Sequence, residues 1–184
     1  MRVDTSVVLF QSAAAPGSSF VGKFSFADAL DSDFSGTLRW TRGAVTKGIF
    51  LGALDTTFTL SACKFTPPAR GVQTLTYTTP LAASGLLSFT DGGLNPAISR
   101  LFTVDGKDKA LAEATNPESS KLTLINRADG RFEGTFKHPS LPKNPTIKFR
   151  GVQLQTATGG TGPNKAFGLF TIPTAAGSFT FTPQ

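Results

Sequence analysis

Few groups in this chain of 184 residues could do chemistry. Its one histidine, His138, stands between Lys137 and Pro139 at a predicted strand end. An imidazole there would suit general-base work, but no GxSxG elbow and no particular spacing selects a serine or carboxylate partner for it. His138 therefore reads as a surface or cap-like side chain, and no catalytic residue is assigned. Asp28, Asp31 and Asp33 could offer oxygens to Ca²⁺, which takes about six to eight of them. Their segment lacks the bidentate Glu and the length of an EF-hand loop, and aspartates commonly bond the backbone of turns. A plain turn is the preferred reading, with Asp28, Asp31 and Asp33 kept as a weak calcium candidate, and no cofactor is assigned. Carboxylates paired for glycoside hydrolysis do not stand out: Asp55, Asp91, Asp105, Asp108 and Asp129 all fall in turn-like segments, and Glu133 alternates with Phe132 and Gly134.

Charge points outward more clearly. The formal net charge is +6, and after Glu133 no acidic side chain follows, whereas Lys137, Lys143, Lys148, Arg150 and Lys165 do. Along Thr146–Val152 the residues alternate, so Ile147 and Phe149 should face one side and Lys148 and Arg150 the other. Lys137, Lys143, Lys148 and Arg150 are the candidate binding residues for an acidic polymer such as an anionic polysaccharide. A field that only aids solubility is the bland alternative. Nucleic acid is disfavoured, because in Ile147–Arg150 ring and charges point opposite ways. Trp40 shares a face with Leu38 and Phe34 and reads as core rather than as a sugar platform. Cys63 is the single cysteine, which rules out an intrachain disulfide; no zinc pattern surrounds it, and it reads as a semi-buried structural thiol.

These groups need a scaffold, and a recurring pentad describes it: Phe20-Val21-Gly22-Lys23-Phe24, Phe34-Ser35-Gly36-Thr37-Leu38 and Phe132-Glu133-Gly134-Thr135-Phe136. Apolar residue, Gly and apolar residue at period 2 lie on one strand face, with Gly where another segment packs close. There are 17 Phe but one Tyr, so large rings without hydroxyls are available as core filler. The 19 Gly and 12 Pro are spread along the chain, as turns between short strands require. Strands are predicted over Phe20–Phe26, Phe34–Trp40, Gly48–Gly52, Thr57–Phe65, Val72–Thr78, Gly85–Thr90, Ser99–Asp105, Lys121–Ile125, Arg131–His138, Thr146–Val152, Phe167–Ile172 and Gly177–Thr182. Turns are predicted at Asp91-Gly92-Gly93 and Asn126–Gly130, and Lys107–Asn116 reads as an extended or single-turn connection. Laying Phe34–Leu38 over Phe132–Phe136 and Phe65–Pro68 over Phe181–Gln184 suggests an internal duplication, 17–68 and 130–184, linked by 72–125. The expected fold is all-β, one domain over 1–184, an antiparallel barrel or two packed sheets built from two related halves, with the barrel favoured.

The order of the blocks Gly17–Phe24, Phe34–Trp40, Phe65–Pro68, Gly130–Pro139 and Phe149–Gln155, with Lys165–Phe170 as a further aromatic-glycine block, resembles a β-rich C-terminal module. Such modules belong to large exported or surface proteins of planctomycete and verrucomicrobial type bacteria. The similarity runs from about Val8 to the end. Where that family more commonly has Tyr, this chain has Phe10 and Phe65. The resemblance implies export, membership of a longer polypeptide and many antiparallel strands, and brings no catalytic residues. The start, with a strand expected over Ser6–Phe10 and no signal-peptide core, fits a mature form or a piece of something longer, the second being favoured, and no apolar run is long enough for a transmembrane helix. The expected function is a non-catalytic structural or adhesive module of a secreted or cell-surface protein, its partners other domains of the assembly and an anionic polysaccharide. A barrel-type carrier of a small apolar ligand is the second reading, and a glycan-acting hydrolase the third.

Overall fold

The computed structural model describes residues 5–12, 18–26, 34–47, 51–77, 84–155 and 164–184. Regular structure among them is entirely β, in twelve strands. In chain order these are β1 (Thr5–Ser12), β2 (Ser19–Phe26), β3 (Phe34–Arg42), β4 (Leu54–Ala62), β5 (Ser84–Asp91), β6 (Ile98–Val104), β7 (Ala110–Ala112), β8 (Lys121–Ile125), β9 (Arg131–Lys137), β10 (Thr146–Leu154), β11 (Lys165–Ile172) and β12 (Ala175–Pro183). The expected strands at Gly48–Gly52 and Val72–Thr78 do not form among the described residues. The aspartate turn at 27–33, with its calcium candidates, lies outside them. The described residues up to Lys64 form one compact unit and those from Phe65 onward another.

The first unit is an antiparallel meander ordered β1-β2-β3-β4. Register places Phe20 opposite Trp40, Phe24 opposite Gly36 and Phe26 opposite Phe34 on one face. Phe20 stacks on Trp40 with centroids 5.5 Å apart, and Phe24 on Phe34 at 4.9 Å. The other face carries the Arg39–Asp55 ion pair at 2.6 Å.

The second unit is an eight-stranded antiparallel sheet ordered β7-β6-β5-β12-β11-β10-β9-β8. Its outermost strands, β7 and β8, come back against each other, so the sheet curls into a nearly closed barrel. Inward positions alternate with outward ones on every long strand, and eight phenylalanines fill the inside: Phe89, Phe102, Phe132, Phe136, Phe149, Phe170, Phe179 and Phe181. Phe89 stacks on Phe136 at 4.3 Å and meets Phe149 edge-on at 5.0 Å.

Glycines on the inner face, one of them from the third pentad, make room for these rings. A Cβ at Gly134 would fall on the ring of Phe149 and on the carbonyl oxygen of Lys121, and one at Gly85 would fall on the ring of Phe181. Without a Cβ the strand lets a neighbouring ring lie flat against it. The two blocks matched in the sequence sit in different settings. Phe65–Pro68 is irregular chain after β4, whereas Phe181–Pro183 ends β12; one strand begins after β3 and before the first block, while β10, β11 and β12 follow β9 up to the second.

Phe89→Ala should cost about 3–5 kcal/mol, the range for emptying a packed aromatic site. Denaturant unfolding should show a lower midpoint at unchanged slope, and a loss under about 1 kcal/mol would contradict the packing described here.

Candidate functional site

Three clusters of polar groups deserve weighing as sites, one at each end of the barrel and one on its outer wall. Segment 65–77 forms no ladder, and distant side chains take up backbone groups along it where the strand expected at Val72–Thr78 does not form among the described residues. Thr74 donates its N–H (3.0 Å) and its hydroxyl (3.1 Å) to Asp108 Oδ1. Gln155 bridges the segment by accepting from Thr66 N–H at 2.8 Å and donating to Thr74 C=O at 3.1 Å. Asn164 does the same for the N–H and C=O of Thr76. Asp108 is buried and paired to Arg127 at 2.6 Å. Arg127 also donates to the carbonyls of Ala69 and Val72. Leu75 and Tyr77 from this strap enter the phenylalanine core. Every polar group named here is committed to holding the strap.

At the other end of the barrel, His138 corrects the surface or cap-like reading, because it is fully buried. Its Nε2 lies 3.0 Å from the carbonyl oxygen of Gly92, so Nε2 carries the proton and donates it. Its backbone N–H donates to Pro145 C=O at 3.0 Å. The imidazole thus ties the β9–β10 loop to the β5–β6 turn, a role that residue order does not announce because a residue just past a strand end carries no face preference. The turn itself is as expected, with Asp91, Gly92 and Gly93 all at positive φ.

Other carboxylates are also engaged. Arg100 donates two bonds to Glu118 at 2.7 and 2.6 Å. Asp105 accepts the N–H groups of Lys109 and Lys107, which hold its carboxyl below the usual range. Asp129 is likewise held low, chiefly by the backbone N–H of Arg131, and its carboxylate pairs with that guanidinium at 2.7 Å. Among the described residues no three His, Cys, Asp or Glu side chains gather as a metal site.

The outer wall of β8–β11 is different. Lys148 and Arg150 are exposed on β10 while Phe149 is buried behind them, as the alternation predicted. Thr135 of β9 is flanked across the strands by Lys148 on one side and Lys121 on the other. Two strand spacings put these lysines roughly 10 Å apart at their backbones. Lys137 opposes Thr146, one step along the same face from Lys148. Among the described residues none of these three lysines has a carboxylate partner within ion-pair distance, nor does Lys143, which sits in the β9–β10 loop. Arg150 is partly offset by Glu133, at 3.7 Å.

Sequence reasoning missed Lys121, 27 positions before Lys148, because nothing local announces that β8 flanks β9. It also missed the apolar part of this face. Register sets Leu169 opposite Arg150 and Phe167 opposite Val152, and Leu169 is 62% exposed, Val152 44% and Phe167 36%. Within β10 ring and charge do point opposite ways, but the next strand returns a ring to the charged face. Trp40, by contrast, is half-buried against Phe20, and Cys63 is half-buried just after β4.

Comparison of the chain with protein-family models, with curated proteins and with solved structures finds no match.

Burial, and secondarily the charge of Asp108, raises Tyr77 above the ordinary tyrosine value near pH 10. The folded state then holds its proton where the unfolded chain has lost it. Its contribution is whole below about pH 10 and falls as pH rises beyond that. As Tyr77 is the sole tyrosine, tyrosinate absorbance reports on it alone. Absorbance should stay flat through pH 10 and rise only with unfolding, and Tyr77→Phe should lessen the alkaline loss of stability. Smooth titration near pH 10 with the fold intact would contradict the strap's burial.

Proposed function

We propose that this protein is a non-catalytic, adhesive or structural module of an exported bacterial surface protein, and that it holds acidic glycans on the outer wall of β8–β11. The observation that carries this reading is the Lys121, Lys137 and Lys148 cluster around Thr135, without carboxylate partners among the described residues and next to exposed Phe167 and Leu169. Spaced ammonium groups on an extended wall suit a chain of carboxylates or sulfates, and an adjacent ring offers the C–H face of a sugar a surface to rest on. A single exposed ring among aliphatic neighbours fits a glycan better than a single-stranded nucleic acid, which calls for successive stacking platforms. The engaged state of the carboxylates described above favours binding over hydrolysis. The reading as a carrier with its ligand in the barrel interior is disfavoured by the eight buried phenylalanine rings that fill it.

The test is binding to polygalacturonate, dextran and a single-stranded oligonucleotide at two salt concentrations. Polygalacturonate should bind, dextran should not, and affinity should fall roughly tenfold or more when salt is raised well above 0.1 M, where the Debye length is about 10 Å or less. Lys121→Glu with Lys148→Glu should abolish binding, and Phe167→Ala should weaken it without changing its salt dependence. Affinity indifferent to both salt and charge reversal would sink the proposal, and preferential oligonucleotide binding would replace it.

A further inference from the structure

No ladder joins β7 to β8, although alternation around an eight-stranded sheet runs them antiparallel. β7 has three residues, and β8 carries a bulge between Leu122 and Leu124. Beside this seam lies a cleft of about 480 Å³, within the roughly 300–1,000 Å³ of small-molecule sites. Phe102, Ala110, Ala112 and Leu122 form its apolar side. The two alanines pack on the phenylalanine core with a methyl each, where larger inward residues would fill the space.

The polar side belongs to the loop between β7 and β8. Ser120 lines the cleft and is fully buried, and its Oγ has no hydrogen-bond partner. Its backbone is spoken for: Asn116 accepts from Ser120 N–H and donates to Ser120 C=O, each at 2.8 Å. The loop is anchored by the two Arg100–Glu118 bonds and by Lys137 N–H donating to Glu118 C=O at 2.6 Å. A buried hydroxyl without a partner is unfavourable, and one that borders a cleft has room there for a partner from outside the chain. Held on a fixed wall, it is a preorganised contact for a ligand's polar group. Glu113 and Lys121 also line the cleft with opposite charges, which favours a neutral occupant.

We propose that the β7–β8 seam binds a flat, mostly apolar, neutral small molecule bearing one hydroxyl or carbonyl. Its ring lies against Ala110, Ala112 and Leu122 and its polar group meets Ser120 Oγ. The site is in the barrel wall, not in the filled interior, and shares only Lys121 with the glycan-binding face.

The test titrates 2-naphthol and naphthalene into the full chain, followed by NMR. The expected result is saturable shifts at residues 110–113 and 119–122, with intermolecular NOEs to the methyls of Ala110 and Ala112. 2-Naphthol should bind roughly two- to tenfold more tightly, the strength of one hydrogen bond. Ser120→Ala removes an unpaired hydroxyl and should bring 2-naphthol down to the affinity of naphthalene, while Ala112→Leu should block both. Absence of NOEs to the alanine methyls in the unaltered chain overturns the proposal, as does a 2-naphthol preference that survives Ser120→Ala. Those two readings decide the matter even if Ala112→Leu fails to fold.

Discussion

Phe89 on β5 touches the rings of Phe136, Phe149, Phe170 and Phe179, at centroid distances from 4.3 to 6.4 Å. Those rings come from β9, β10, β11 and β12, so one side chain is in contact with half of the barrel's strands. Rings this large fit inside an eight-stranded wall only if some inward positions carry no side chain, and glycines such as Gly134 and Gly85 provide them. The same constraint explains the excess of Phe over Tyr: a hydroxyl in this interior would need a partner that the packed rings cannot supply. The sole tyrosine enters from the strap, beside the polar groups that hold it.

A filled interior leaves the wall and its seam as the places where this unit can meet other molecules. Because inward positions are taken by rings and glycines, strand alternation sends Lys121, Lys148, Arg150, Phe167 and Leu169 to the same outer surface. Two cations there, Arg131 and Arg150, are offset by Asp129 and Glu133, and Lys121, Lys137 and Lys148 have no carboxylate partner among the described residues. Closure is weakest between β7 and β8, where a three-residue strand meets a bulged one. That is also where the inward side chains shrink to alanine.

Much of the barrel could be read from residue order. The pentad at Phe132–Phe136 and the alternation of Ile147–Arg150 both face as expected, since a period of two admits only two assignments and the apolar set selects one. Val72–Thr78 misled because its composition suits a strand, yet its backbone partners are side chains of Asp108, Gln155 and Asn164, far away in the chain. His138 misled for a related reason: its acceptor, Gly92, is 46 positions earlier.

Alternation, turn glycines and the excess of Phe are local properties, so the chain alone settled that the protein is all-β, which faces of β9 and β10 point inward, and that Lys148 and Arg150 point out. Which strands lie side by side is a matter of long-range pairing. Only the folded barrel could bring Lys121 beside Lys148, set Phe167 on the charged face, bury His138 and leave a seam at β7 and β8. Each of these depends on contacts between distant segments, which hydrophobic periodicity does not encode.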